Sequence, residues 1–170
     1  MSDDPAYAVE YNLLHEYASG PCDDRVVVIT SAAYCERYIL DLLSARLPAM
    51  SEELSKKLFA ENRPLHSASA RFDLAEAIGL ISGEFRREMR VFFKIRNLFA
   101  HNLEIRDAND ERICGLTNSL TLSLNKDEKL KEEYRSWPQS GRLHWHSLFY
   151  AGQFLSQLNL ERDLGRLSCK

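Results

Sequence analysis

The chain has no apolar run of membrane-spanning length. Its most hydrophobic stretch, Val26 to Ile29 continuing through Ala32 and Ala33, falls far short of the roughly 18 residues a span requires. Four cysteines, Cys22, Cys35, Cys114 and Cys169, lie far apart with no C-x-x-C pair and no histidine at ligand spacing. That distribution argues against a disulfide scaffold and against a structural metal, and leaves reduced thiols. Cys35, amid apolar sequence, reads as a small core residue and Cys169 as an exposed one. There is no G-x-x-x-x-G-K-S/T, no G-x-G-x-x-G and no H-E-x-x-H, so nothing supports a nucleotide-fed or zinc-dependent enzyme, and no cofactor is expected. Positive charge is not in surplus either. With a net charge of −3 and no helix-turn-helix signature, direct binding to duplex DNA is not expected, and any nucleic-acid contact must be local. Met1-Ser2-Asp3-Asp4-Pro5 carries no basic or apolar leader, so a cytoplasmic protein off the membrane is the expectation.

What is present is helical periodicity. The 170 residues, 45% hydrophobic and 28% charged, suit one all-α domain over 1–170, a bundle of about six to seven helices without an internal repeat or a convincing strand. Asp4 and Pro5 open a helix carrying Val9, Leu13, Leu14 and Tyr17, stopped by Gly20-Pro21. Asp23 or Asp24 restarts the chain, and Arg25 to Arg46 is apolar over most of its circumference, which suits the bundle centre. Ser51 caps a short helix with Leu54, Leu58 and Phe59. Ser67 or Ser69 begins another with Phe72, Leu74, Ala75 and Ile78, closed near Gly79. Phe85, Met89, Phe92, Ile95 and Phe99 recur at three- and four-residue steps, predicting a helix from Gly83 to Ala100 with one buried stripe. Asp107 or Asn109 caps a short helix to about Leu120, and Leu120 to Leu124 alternates briefly and could be extended. Residues 125–135 are charge-dense and read as exposed, and Trp137 to Gly141 as a connector. A last amphipathic helix over about 142–160 offers Trp145, Leu148, Phe149, Gly152, Leu155 and Leu158 to the core.

One heptapeptide carries most of the chemistry. Arg96-Asn97-Leu98-Phe99-Ala100-His101-Asn102 sets a guanidinium, a carboxamide and an imidazole at the end of the apolar-striped helix. Its spacing resembles the R-x4-6-H signature of the HEPN superfamily, helical domains that include ribonuclease toxins and non-catalytic binding modules. The wider order VVVITSAAYCERYILDLL, PLHSASARFDLAEAIGLIS, FFKIRNLFAHNLE, over about 26–120, is similar to the mannitol-operon-repressor (MltR) family.

The first resemblance implies a metal-independent endoribonuclease acting on single-stranded RNA, a toxin or defence effector held by an antitoxin partner. The side chains make the chemistry feasible. A neutral His101 can take the ribose 2′-hydroxyl proton, and Arg96 can hold two phosphoryl oxygens as charge builds on them. Asn97 would orient the imidazole or the phosphate, and the product would be a 2′,3′-cyclic phosphate, which excludes DNA as substrate. The second resemblance implies a non-catalytic transcriptional regulator working through contact with another protein.

Geometry constrains the enzyme. Residues five apart on a helix stand about 140° apart around its axis, so Arg96 and His101 do not share a face. Either the helix tightens at Ala100 or a homodimer brings two motifs together, as the HEPN resemblance implies. A plainer reading makes His101 and Asn102 a C-terminal cap and ties Arg96 to Glu36 as an ion pair. Glu36 and Asn102 are thus candidate supporting residues in the enzyme and structural groups otherwise.

Arg86, Arg90 and Lys94, joined by Arg87, step along the same helix as a basic stripe that RNA could track. Interleaved Glu84 and Glu88 favour an ordinary solvated face. Arg71 matches the arginine of the SARF stretch and offers only pairing with an acid. His144 and His146, two apart, point about 200° apart on a helix and cannot share one metal ion there.

Overall fold

A computed structural model describes residues 12–13, 15–16, 20, 22–47, 50–124 and 127–164. The expected helix from Pro5 to Tyr17 lies largely outside the described residues, as does Cys169. Seven α-helices and one 3-10 turn account for the rest: α1 Asp24–Arg46, α2 Glu52–Phe59, α3 Ala68–Ala77, α4 Gly83–His101, α5 Glu111–Thr117, the turn Leu122–Leu124, α6 Glu128–Ser136 and α7 Gln139–Asp163. Among the described residues no helix is long and apolar enough to cross a membrane.

Capping side chains set most of the boundaries. Asp23 accepts from the Arg25 amide, Ser51 from Leu54, Ser67 from Ala70, Ser82 from Phe85 and Asp110 from Arg112, each absorbing a first-turn N–H that the helix cannot satisfy. Ser67, not Ser69, is the cap of α3, and Asp110, not Asp107 or Asn109, that of α5. Gly79 follows α3 at φ 72°, a left-handed backbone that glycine adopts without steric cost.

The bundle is organised around α1, which runs against α7 and also contacts α4 and α3. Val27, Val28, Ala32, Cys35, Tyr38, Ile39, Leu42 and Leu43 are fully buried along it. Burial pushes the Cys35 thiol pKa up, so this cysteine acts as a core side chain. The α4 stripe is buried as its spacing predicts, from Phe85 through Met89, Phe92, Ile95 and Phe99.

Three expectations need correction. The 128–136 segment is not merely an exposed charged tract, because α6 buries Tyr134 on α7 through a 2.9 Å bond to His146. Trp137 to Gly141 is not a connector, since α7 already starts at Gln139 behind Pro138. The inward face of α7 also differs: Leu143, Tyr150, Ala151, Phe154 and Leu158 are buried, while Trp145, Leu148, Phe149, Gly152 and Leu155 are only half-buried. The inward face includes His144, His146, Ser147 and Glu161, so a polar residue on α7 is not a sign of solvent.

The buried carboxylates and imidazoles are paired, as burial demands. Asp24 accepts from the Ala108 amide at 2.7 Å and the Ser140 hydroxyl at 2.9 Å, and pairs with His144 at 2.8 Å. Burial alone would raise the Asp24 pKa, but the bonds from His144, Ala108 and Ser140 outweigh it and hold the carboxyl below its ordinary value. Glu161 is fully buried at the far end of α7 and receives Arg46 Nε at 2.8 Å and Nη2 at 2.6 Å.

Arg25 ties the start of α1 to the end of α4. It donates to the Phe99, Asn102 and Ile105 carbonyls, the last two at 3.2 and 2.6 Å, supplying a cation where the α4 dipole ends in unpaired oxygens. Arg25→Ala should cost about 2 kcal/mol in urea denaturation. A loss below about 0.5 kcal/mol would show these carbonyls satisfied without it.

Candidate functional site

A cleft of about 420 Å³ opens between α1, α3 and α4. Its α4 wall presents Met89, Arg90, Phe93, Lys94, Arg96 and Asn97, and α1 contributes Glu36. Ser67, Ala68, Ser69 and Phe72 close the other side from the start of α3. Five residues singled out in the sequence for the site or its support therefore share one crevice: Glu36, Arg90, Lys94, Arg96 and Asn97. The heptad relation of residues 90 and 97, with 93, 94 and 96 beside them, puts this set on one side of α4.

His101 is not part of that lining. It stands exposed on the last turn of α4, four residues and about 6 Å along the axis beyond Asn97. The helix neither frays nor tightens before it, because the Asn102 amide still bonds to the Leu98 carbonyl at 3.0 Å, four residues back. One of the two routes by which Arg96 and His101 were to converge is thereby removed. Within one chain, the guanidinium faces the cleft and the imidazole lies outside it.

The other side chains of the heptapeptide have definite partners. Arg96 donates Nη1 to Asn97 Oδ1 at 2.9 Å, and its Nη2 meets Glu36 Oε1 at 3.3 Å. Both members of the ion pair are about one-third exposed, so it contributes at most about 1 kcal/mol. Asn97 thus engages the guanidinium instead of the imidazole. Asn102 caps α4 with its own side chain, Nδ2 to the Leu98 carbonyl at 2.9 Å, in an extended conformation at φ −123° and not a left-handed one.

The basic stripe is partly neutralised. Asp73 on α3 receives Arg86 at 3.0 Å and Arg90 at 3.1 Å, and Arg86 also pairs with Glu76. Arg86 does not line the cleft. Lys94 is exposed, and among the described residues no carboxylate lies within ion-pairing distance of it. Glu88 does not belong to a solvated face: it is buried and turned inward. Arg71 donates to the Leu65 carbonyl at 2.8 Å and lies over the Phe59 ring, so it secures the α2–α3 loop instead of pairing with an acid.

His144 and His146 serve different interior partners. His144 pairs with Asp24, while His146 contacts Tyr134 through Nε2 at 2.9 Å and Ser123 through Nδ1 at 3.2 Å. Among the described residues no cluster of histidine, cysteine and carboxylate side chains could hold a metal ion. A second groove of about 350 Å³, lined by Leu42, Leu80, Phe85, Leu122, Phe149 and Phe154 among others, contains none of the candidate site residues.

The chain matches no protein-family model and no curated protein. A chain of the X-ray structure of the MtlR–HPr complex from Escherichia coli superposes on it with a TM-score of 0.65 and 16% identity, over 89% of this chain and 98% of that one. The fold is MtlR-like. That likeness agrees with the repressor-family resemblance of the helical order, and it lends nothing to the HEPN motif. At 89% of this chain it also extends well beyond residues 26–120.

Proposed function

We propose that this protein is a non-catalytic regulator that acts by binding another protein, with HPr as the candidate partner. The observation that carries this reading is the separation of His101 from the cleft that contains Arg96. A general base must come within about 3 Å of the proton it removes, or one water away, and here the base and the cation do not face one pocket. The MtlR-like fold supports a protein partner, since the similar structure is a complex with HPr.

The end of the bundle at α4 supplies a contact surface. Leu103, directly after the heptapeptide, is 86% exposed, the most exposed large apolar side chain among the described residues, and Val26 beside Arg25 is 46% exposed. Apolar anchors of this kind carry much of the energy of protein interfaces. HPr is expected to be retained on the immobilised chain, and Leu103→Asp to weaken that retention about tenfold or more with an unchanged melting temperature. Absence of HPr retention would remove it as the partner.

The ribonuclease reading needs His101 brought over this cleft, as a second copy in a homodimer could do. Incubation with labelled single-stranded RNA in excess EDTA separates the two. The regulator gives equal background for wild type and His101→Ala, whereas product that depends on His101 would establish the enzyme and overturn the regulator. A monodisperse monomer at micromolar concentration in sedimentation would independently exclude the composite site.

A further inference from the structure

We infer that the cleft between α1, α3 and α4 is a binding site for a small phosphate monoester carrying an aromatic or apolar body. Its volume of about 420 Å³ lies in the ordinary range for small-molecule sites, about 300–1,000 Å³. The lining charges are Arg90, Lys94 and Arg96 against Glu36; with Asp73 beside Arg90 at 3.1 Å counted as well, the local surplus is one positive charge, centred on Lys94, on a chain whose net charge is −3. A phosphate monoester carries between about −1.5 and −2 near neutral pH, the sign that this cationic side of the cleft favours.

The polar and apolar parts of the cleft are arranged for such a molecule. Lys94 has no acidic partner among the described residues, and Arg96, one-third exposed and held by Asn97 at 2.9 Å and Glu36 at 3.3 Å, can exchange these contacts for an oxyanion across its planar fork. Ser67, Ala68 and Ser69 bring in the start of the ten-residue α3. Ser67 already takes the Ala70 and Arg71 amides, while the Ala68 and Ser69 amides, as first-turn donors, have no intrahelical acceptor. Phe93, half-buried and backed edge to face by the core residue Phe72 at 5.5 Å, is the apolar surface that the cleft offers to a ring. The proposal is independent of the protein partner, because Leu103 lies outside the cleft.

Calorimetric titration of the full chain with phenyl phosphate, inorganic phosphate and phenol tests it. Phenyl phosphate should bind with a sub-millimolar Kd and at least about tenfold more tightly than inorganic phosphate or phenol. Lys94→Gln should weaken it about tenfold, and Glu36→Gln should strengthen it severalfold by releasing Arg96 and removing an opposing charge. Both positions are partly or fully exposed, so melting temperatures should stay near wild type. Ser69→Trp, at the rim, should abolish binding by filling the opening. No heat with phenyl phosphate at millimolar concentration, or affinity indifferent to Lys94→Gln and Glu36→Gln, would overturn the site. So would retention of a single-stranded RNA oligomer without any binding of phenyl phosphate.

Discussion

Glu88→Ala should lower the melting temperature by roughly 10 °C, the loss of about 4 kcal/mol at about 2–4 °C per kcal/mol for a domain of this size. The carboxylate is 7% exposed and receives four donors: the Thr121 amide at 2.5 Å, the Leu122 amide at 2.7 Å, the Thr121 hydroxyl at 3.3 Å and the Tyr150 hydroxyl at 2.7 Å. Alanine would leave two backbone N–H groups and a fully buried phenol without an acceptor, and each unsatisfied buried group costs about 1–3 kcal/mol. It would also release the Leu122–Leu124 turn from α4. Glu88→Gln keeps an oxygen for the amides and should cost only about 1 kcal/mol, since the Tyr150 hydroxyl can accept from the carboxamide instead of donating. A drop of under about 2 °C for the alanine variant, read by calorimetry, would show that this contact is not holding the turn.

Stability should fall by about 3 kcal/mol as the pH drops from about 6.5 to about 4, because of His146. The imidazole is completely buried between Tyr134, Ser123 and Tyr150, and burial holds its pKa down at about 4 against 6.5 for a free histidine. Between those values the unfolded chain takes up a proton that the folded chain refuses. The stabilisation is therefore fully present above about pH 6.5, declines by about 1.4 kcal/mol per pH unit below it, and is gone near pH 4. Asp24 acts in a lower window. Its folded-state pKa is depressed, so its contribution is present above the free carboxyl value of about 3.9 and is lost as the pH falls through the folded value. Urea midpoints measured from pH 7 to 4.5 should slope for wild type and flatten for His146→Gln. Parallel slopes in the two proteins would mean that other groups carry the dependence.

Much of the fold is legible in the chain because it depends on neighbours in sequence. Ser51 and Ser82 announce helix starts, since a short hydroxyl side chain reaches a first-turn amide wherever the helix begins. The Phe85 to Phe99 stripe predicts its own burial, because a 3.6-residue period has one apolar face to hide. Arg96 pairing with Glu36 was one of two readings available from composition alone, since an acid on an apolar helix needs a partner. The inward face of α7 is not legible in the same way: His146 and Glu161 are inside because Tyr134 and Arg46 meet them there. Hydropathy places such residues outside, because it sees the cost of burying a polar group and not the bond that offsets it.

Arg25, Asp24 and Glu88 show the same limit. Each looks like an ordinary surface charge in its local sequence, yet their partners lie 74 to 80, 84 to 120, and 33 to 62 residues away respectively. Helix boundaries, the striped face of α4 and the composition of the heptapeptide follow from local chain chemistry, which acts over one or two turns. Whether Arg96 faces His101, which carboxylates are buried, and that a cationic cleft exists at all depend on how α1, α3 and α4 pack, and packing is a relation among residues that the chain order holds far apart.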